Sequence, residues 1–247
     1  MTILIKYHDS GFKNFKTFYL SFLSSNRSEF PDLVSYNRFI ELIPSALFPL
    51  AAYLKTRMGK NTGIAFIDST PLSVCHNIRI SRNKVFKEIA TRGKSSMGWF
   101  YGFKLHLVVN HQGELLSFKI TKGNVNDRDP VNELCENITG KLFGDKGYLG
   151  KELFEKLLKK GLKLVTNLKS NMKNKLISLN EKSLLKKRFI IETINGQLKN
   201  ICDIDHTRHR SPVNFLVNII SGLISYTWKN KKPCIKMSKK VIKALCY

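Results

Sequence analysis

The chain is short of acidic residues, with 18 Asp and Glu against 42 Lys and Arg and a formal net charge of +24. Such an excess repels itself in a compact state and is favourable mainly opposite a polyanion. Lys and Arg that neutralise phosphates also release counterions, which supplies most of the sequence-independent affinity for DNA or RNA. We therefore expect a nucleic-acid partner; the alternatives are a merely soluble basic surface and a ribosomal-type protein.

Paired cysteines and long apolar runs are also lacking. The five cysteines are scattered without a Cys-x-x-Cys pair, which argues against a disulfide framework or a zinc ribbon and fits a reducing cytosol. Residues 1–10 lack the apolar core of a secretory signal. Residues 42–54 form the most apolar stretch, but Pro44 and Pro49 interrupt it and it is shorter than a bilayer span. We expect a soluble intracellular protein with no membrane partner.

Residues 1–60 have the pattern of helices and loops, without a strand signal. Apolar side chains recur at spacings of three and four between Phe15 and Leu23, which predicts an amphipathic helix. A second helix is expected over residues 33–42, and a third after Pro44. The chain is divided into a helical N-terminal region (1–60), an α/β domain (61–230) and a basic tail (231–247).

From residue 63 onward, short apolar runs alternate with helical patterns. Residues 79–98 are basic and mixed and are expected to form a loop. Strands are predicted at 63–68, 103–109, 115–120, 141–145 and 162–166, with a hairpin turn at 110–113. Helices are predicted from Pro130, with Asp129 as N-cap, and over 151–160, 181–200 and 213–228. The order β-β-β-α-β-α-β-α predicts a mixed α/β sheet with helices on both faces, and it resembles the ribonuclease H-like fold.

Three acidic residues of the α/β region indicate a metal site. Asp68 and Asp145 each end a predicted strand, and the ends of central strands in one sheet lie close together. Glu192 lies in the helix after the last strand, where it can lean over the same edge. Phosphodiester chemistry on DNA needs a divalent cation, and Mg²⁺ prefers a few carboxylate oxygens together with water.

The segment around Glu192 carries two cations at helical spacing. Arg188 precedes Glu192 by four residues and Lys199 follows it by seven, so a helix places all three side chains on one face. An acid between two cations suits a metal ligand with phosphate contacts alongside.

Six motifs follow one another along the chain: Phe66-Ile-Asp-Ser-Thr-Pro-Leu72, Gly102-Phe-Lys-Leu-His106, Gly123-Asn-Val-Asn-Asp127, Gly144-Asp-Lys-Gly-Tyr148, Arg188 to Lys199, and His206-Thr-Arg-His-Arg-Ser-Pro-Val213. In this order they resemble the DDE transposases of bacterial insertion sequences, from about residue 1 to about residue 235. The resemblance implies an enzyme that cuts and joins DNA. It also implies that Asp68, Asp145 and Glu192 are the catalytic ligands of two Mg²⁺ or Mn²⁺ ions, with Arg188 and Lys199 as contacts to DNA or to the site.

The resemblance further implies partners and a location. The partners are the DNA of element ends and targets, and a second copy of the chain in a synaptic homodimer. The expected location is the bacterial cytosol or nucleoid. Two alternatives are a nuclease of the same fold and an inactive, truncated relic that only binds DNA.

Two departures from the family pattern stand out. The wider group often has a tyrosine three residues before the arginine, where this chain has Leu185. Relatives usually carry further residues before the segment that begins this chain. The resemblance therefore raises an N-terminal truncation as a hypothesis, with residues 1–60 as the remnant of a DNA-binding part.

Other basic residues are candidate DNA contacts, and the alternative for such a run is a solvated face. The candidates are Arg79, Arg82, Lys84, Arg92, Lys94, Lys146, Arg208 and Arg210.

Two further groups have competing interpretations. Asp127 and Asp129 rival Asp145 as the second acid, but the favoured role is capping of the helix at Pro130. The aromatic run Trp99-Phe-Tyr101 lies beside basic residues, and we favour core packing over stacking on a base near a DNA end.

Overall fold

A mixed sheet forms the centre of the molecule. The computed structural model describes residues 1–167, 178–206 and 209–237. The sheet in these ranges has six strands. They are β1 (Ile64–Cys75), β2 (Thr91–Ser95), β3 (Gly98–Asn110), β4 (Leu115–Lys122), β5 (Gly140–Gly144) and β6 (Leu162–Thr166).

The strand order is that of the predicted fold. Along one edge β3 pairs antiparallel with β1, and along its other edge it pairs antiparallel with β4 and, further on, with β2. On its far side β1 pairs in parallel with β5, which pairs in parallel with β6. The order β4–β3–β1–β5–β6 confirms the mixed, ribonuclease H-like α/β sheet.

The first strand is longer than predicted. It does not end at Asp68 but continues to Cys75, because its second half still pairs with β3. Its parallel pairing with β5 is shorter and covers Ile64 to Phe66.

The predicted loop at 79–98 contains a strand, so that prediction is wrong in part. It begins with a 3-10 turn at Asn77–Arg82 and continues into β2, which forms a hairpin with the start of β3. A Cβ at position 93 would lie 2.1 Å from the carbonyl oxygen of Gly123. Gly93 therefore allows β2 to pack directly on the backbone that follows β4.

Helices cover both faces of the sheet. On one face α5 (Val131–Leu134) and α6 (Lys151–Lys159) share a core with Ala65 and Ile67. On the other face Ile64 and Phe66 share a core with α7 (Leu179–Lys186), α8 (Phe189–Asn200) and α9 (Pro212–Trp228). Neighbouring residues of β1 therefore serve opposite cores, as the alternation of side chains along a strand requires.

Two helix predictions need correction. The helix after Asp129 begins at Val131, and its N-cap is Pro130 rather than Asp129. The predicted helix at 181–200 is two helices, because Lys187 ends α7 and Arg188 is the N-cap of α8. This break sets the direction of α8 independently of α7.

The N-terminal helices share a core with the sheet. They are α1 (Thr2–Tyr7), α2 (Phe15–Ser25), α3 (Tyr36–Leu42), a 3-10 turn (Ile43–Ala46) and α4 (Leu47–Thr56). Leu50 and Leu54 of α4 are 0% and 1% exposed, and they belong to the same buried cluster as α9 and Phe66. A separate aromatic cluster, built around Phe18 and Tyr19, joins α1 to α2.

One N-terminal stretch is longer than predicted. Tyr36–Thr56 is a helical run of 21 residues that contains an 18-residue window of mean hydropathy 1.2, long and apolar enough to cross a membrane by length and composition alone. The expectation of too short a stretch is wrong, because Pro44 and Pro49 both lie in first turns, where proline does not break a helix.

The last described residues cover the turn between β3 and β4. The hydroxyl of Tyr226 donates to the carbonyl oxygen of Gly113 at 2.7 Å, and the N–H of Ile235 donates to the carbonyl oxygen of His111 at 2.8 Å. Gly113 has φ +77°, and a Cβ there would lie 2.0 Å from the carbonyl oxygen of Pro233. The turn therefore requires glycine, both for its backbone conformation and for this contact.

Candidate active site

The two aspartates meet where the parallel pairing of two central strands ends. The paired residues run from Ile64↔Lys141 to Phe66↔Phe143, and Asp68 and Asp145 each lie two residues beyond the last pair. Parallel strands present their carboxyl ends at the same edge, so both carboxylates reach one side of the sheet. The predicted convergence holds although β1 itself continues past Asp68.

Asp145 is fixed by a local turn. Its Oδ1 accepts the N–H of Gly147 at 2.8 Å, which caps the 3-10 turn Lys146–Tyr148. This contact uses one oxygen and leaves the other for the cavity.

Glu192 arrives from α8 and is tied to Asp68 through an arginine. Nη2 of Arg188 lies 2.6 Å from Oε1 of Glu192, and Nη1 lies 4.0 Å from Oδ1 of Asp68. Arg188 is the N-cap of α8, and its guanidinium lies between the two acids.

Asn195 is a site residue that the sequence analysis did not identify. Its Nδ2 donates to Oδ2 of Asp68 at 3.1 Å, and the residue is 7% exposed. It lies three positions after Glu192, so the helical spacing that singles out Arg188 was the signal that could have found it. Asn195 thus binds one oxygen of Asp68, and the guanidinium of Arg188 approaches the other.

Asp68 has a strongly perturbed carboxyl. Burial raises the pKa of Asp68 to about 7, and the charges of Asp145 and Glu192 act in the same direction. The guanidinium of Arg188 and the N–H of Ser69 lower this pKa in part. Three acids are therefore close enough to repel one another, and a cation between them would favour their ionised forms.

The three acids line the same cavity of about 370 Å³. Its other lining residues are Ser69, Pro71, Lys94, Ser95, Ser96, Phe100, Lys104, Asp127 and Arg188. The walls are mainly polar and carry both signs of charge.

Asp127 belongs to this cavity, and the prediction that it caps a helix is wrong. Its Oδ1 lies 2.9 Å from Nζ of Lys104, a side chain that is 13% exposed and also donates to the carbonyl oxygen of Val125 at 2.9 Å. Asp129 likewise does not cap α5 within the described part of the chain. Asp127 is thus a fourth carboxylate at the cavity wall, paired with a lysine from β3.

The structure separates the two cations of the α8 motif. Arg188 lies in the cavity, whereas Nζ of Lys199 donates to the carbonyl oxygen of Pro71 and forms an ion pair with Asp205 at 2.9 Å. Asp205 also accepts the N–H of Ser73 at 3.2 Å. Lys199 therefore connects β1 to the segment after α8 and is engaged within the protein.

The other basic candidates lie mostly on the surface. Lys94 lines the cavity, and Arg208 lies outside the described residues. The exposed candidates are Arg79, Arg82, Lys84, Arg92, Lys146 and Arg210.

The donor set fits a hard divalent cation, but it is not gathered into a finished metal cluster. Among the described residues, no group of three or more His, Cys, Asp or Glu side chains is arranged closely enough to hold an ion. Carboxylate oxygens from Asp68, Asp145 and Glu192 nevertheless face one cavity, and such oxygens are the ligands that Mg²⁺ and Mn²⁺ prefer. In this arrangement the guanidinium of Arg188 supplies the positive charge between two of them.

The comparison with family models decides the classification. The model described as "Transposase DDE domain" matches residues 58–212, which is more than half of the chain. The chain belongs to the transposase DDE domain family. The expected resemblance to DDE transposases is therefore confirmed over this range, which includes both aspartates and α8.

One solved structure is similar to this DDE domain at low sequence identity. The cryo-EM structure of the piggyBac transposase synaptic complex with hairpin DNA is similar to it at 13% identity and a TM-score of 0.45. That match covers 78% of this chain and 54% of the other, so the chain corresponds to about half of that protein. No curated protein matches the sequence.

Proposed function

We propose that this DDE domain catalyses metal-dependent cleavage of DNA at the ends of an insertion element and transfer of the freed strand to a target. The observation that carries the proposal is the convergence of Asp68, Asp145 and Glu192 on one cavity. These acids come from three separated segments of an otherwise basic chain. Clustered carboxylates repel one another and so destabilise the fold, although the chain has a net charge of +24. Their clustering is therefore better explained by a bound cation and a phosphate substrate.

Asp68, Asp145 and Glu192 would hold Mg²⁺ or Mn²⁺, and two ions suit in-line displacement at a phosphodiester. The bound ions supply polarisation of the phosphate, an activated nucleophile and stabilisation of the leaving oxygen. The element ends, the target DNA and a second copy of the chain are the proposed partners, in the cytosol or nucleoid of a bacterium.

The protein's own residues prepare this site. Asn195 orients one oxygen of Asp68, and the turn at Gly147 orients Asp145, so the carboxylates are positioned before substrate binds. Arg188 bridges Asp68 and Glu192 at rest. With cations held by these acids, its guanidinium would be able to contact a phosphate oxygen. Lys94 and the exposed basic residues beside it would hold the flanking strand.

A joining assay tests the proposal. The purified chain is given Mg²⁺ or Mn²⁺, a pre-nicked duplex carrying its element's end and a second DNA, and joined product is measured. Asp145→Asn should abolish joining and leave DNA binding largely intact, since asparagine keeps an acceptor for the N–H of Gly147 but removes the charge. Asp129→Asn, at an exposed acid outside the cavity, is the matched control and should join normally.

The outcomes separate the alternatives. Joining that persists in Asp145→Asn would refute the site assignment. Cutting of an intact duplex given in parallel, without joining of the pre-nicked one, would indicate a nuclease of the same fold. DNA binding without any metal-dependent chemistry would indicate a truncated relic.

A further inference from the structure

The hairpin of β2 and β3 carries exposed apolar side chains beside the acidic cavity. Met97 at its turn is 93% exposed, and Trp99 is 63% exposed. The adjacent Lys94 and Ser96 line the cavity together with the three acids. Single exposed apolar side chains are ordinary, but two at one tip beside a polar cavity are typical of a binding surface.

Trp99 is arranged with a cation on the same face of the hairpin. Trp99 and Lys94 are directly paired across β2 and β3, and Nζ of Lys94 lies 5.8 Å from the centroid of the indole ring. Arg92, which is exposed, lies two positions before Lys94 and so points to the same side. An aromatic ring with cations beside it is the combination that binds single-stranded nucleic acid, because the ring stacks on a base and the cations contact the backbone.

The backbone of the hairpin is anchored on both sides of Trp99. The Oγ1 of Thr91 donates to Oδ1 of Asn124 at 2.9 Å, and Gly93 packs against the backbone of Gly123. Nδ2 of Asn77 donates to the carbonyl oxygen of Trp99 itself at 2.8 Å.

The neighbours of Trp99 anchor the strand. Phe100 and Tyr101 are each 6% exposed, so the aromatic run divides into two buried residues and one exposed ring. The favoured interpretation of core packing applies to Phe100 and Tyr101, and the alternative of base stacking remains for Trp99.

We propose that Trp99 and Lys94 form a stacking platform for an unpaired base of the substrate DNA, next to the strand that enters the cavity. A base inside a continuous duplex is covered on both faces by its neighbours, so the ligand is a nick or an end with unpaired nucleotides. Met97, exposed at the turn of the hairpin, would contact the base pair left at the junction. This inference rests on the proposed function, because it assumes that the cavity receives DNA.

Tryptophan fluorescence tests the platform separately from the chemistry. The chain has two tryptophans, Trp99 and Trp228. A variant with Trp228→Phe reports on Trp99 alone, and adding Asp145→Asn keeps the DNA uncut. This protein is titrated with a continuous duplex, with the same duplex carrying two unpaired nucleotides at a nick, and with a single strand. Quenching is expected with the two DNAs that offer unpaired bases and not with the continuous duplex.

Binding measurements complete the test. Trp99→Ala should weaken binding of the DNA with unpaired nucleotides by about tenfold and leave binding of the continuous duplex unchanged. Trp99→Phe, which keeps a ring, should recover part of the loss and show that the fold is intact. Trp228→Ala, at a tryptophan 51% exposed near the end of α9, is the matched control and should bind as the unmodified chain does.

Normal DNA binding by Trp99→Ala would overturn the platform, and so would four other results. These are equal quenching by the continuous duplex, binding without quenching, absence of DNA binding, and loss of self-association in Trp99→Ala without DNA. The last result would assign the ring to a contact between copies of the chain. If joining fails while Trp99 is still quenched by unpaired bases, the proposed chemistry is wrong and the platform stands; if joining proceeds and Trp99→Ala binds normally, only the platform is wrong.

Discussion

At the scale of single residues, the contacts of Asp68 compensate its negative charge only in part when no cation is bound. Its carboxyl is shared between Asn195 and the guanidinium of Arg188, yet burial still raises its pKa to about 7. An arginine that fully compensated the buried acid would have lowered the pKa instead. The site is therefore short of positive charge near neutral pH.

Because positive charge around the Asp68 carboxylate is insufficient, we expect Asp68→Asn to stabilise the fold in a pH-dependent manner. A carboxyl whose pKa is raised on folding favours the folded state while it is protonated. Its ionisation therefore costs stability as pH rises from the ordinary value of 3.8 towards about 7. The variant should be more stable than the unmodified chain above pH 7, by a few kcal/mol, about 1.4 per pKa unit. The two proteins should converge near pH 4.

Urea unfolding in EDTA at pH 4.5 and pH 8 measures this difference. Adding Mg²⁺ at pH 8 should stabilise the unmodified chain and leave Asp68→Asn unaffected, since binding to the folded state alone raises stability. Asp129→Asn serves as control. A variant less stable than the unmodified chain at pH 8 would contradict the charge argument.

At the scale of secondary-structure elements, one buried glutamate joins the helix before α8 to the strand before Asp145. Glu181 completes a capping box with Ser178 at the start of α7. The same carboxylate lies 3.0 Å from Nζ of Lys141 on β5 and 2.7 Å from Nζ of Lys163 on β6. Although burial alone would raise it, the pKa of Glu181 is lowered to about 2 by the hydrogen bonds from Lys163, Lys141 and the backbone of Ser178.

Glu181→Gln should destabilise the fold by about 3 kcal/mol, because it removes a buried carboxylate whose pKa is lowered from 4.5 to about 2, at about 1.4 kcal/mol per pKa unit. The stabilisation by a lowered pKa is present above the unfolded value of 4.5 and is lost as pH falls towards about 2. The loss in the variant should therefore be the same at pH 6 and pH 8. Chemical denaturation at both values checks it, with Glu155→Gln, at an exposed i,i+4 pair, as control. A loss that vanishes by pH 6 would show that the ion pairs contribute little.

The elements also show what the sequence can and cannot predict. The strands around Phe66, Phe143 and Leu164 are predictable because each is a short apolar run buried on both faces. The strand β2 is not, since Thr-Arg-Gly-Lys-Ser offers no apolar residue, and it exists through pairing with β3 and through Gly93 lying on Gly123. The local sequence pattern cannot reveal these tertiary contacts.

The candidate site could likewise be predicted from the sequence only in part. The three acids follow from motif order and strand ends, and their catalytic roles stay predictions. The Lys104–Asp127 pair was missed because it depends on the register of β3 against the loop after β4. Lys199 has the helical spacing of a site residue, but the segment after α8 folds back and engages it through Asp205.

At the scale of the whole molecule, the N-terminal helices and the sheet share one core. Leu54→Ala, at a residue 1% exposed in α4, should cost about 2–5 kcal/mol through lost burial and the cavity left behind. Because α4 packs on α9 and α9 packs on the sheet, amide hydrogen exchange should quicken together in α4, α9 and β1. Leu158→Ala, at a residue 50% exposed on α6, is the control and should change little. Faster exchange confined to α4 would instead show that the helical region opens by itself.

The cover over the β3–β4 turn also affects how the chain folds during synthesis. The carbonyl oxygen of Pro233 rests on Gly113, and roughly 120 residues separate the two. At translation rates of about 5–20 residues per second, the turn emerges on the order of ten seconds before the segment that covers it. During that interval the nascent hairpin lacks the hydroxyl of Tyr226 and the N–H of Ile235 as partners. The turn between β3 and β4 therefore gains its last hydrogen-bond partner only after residue 235 has left the ribosome.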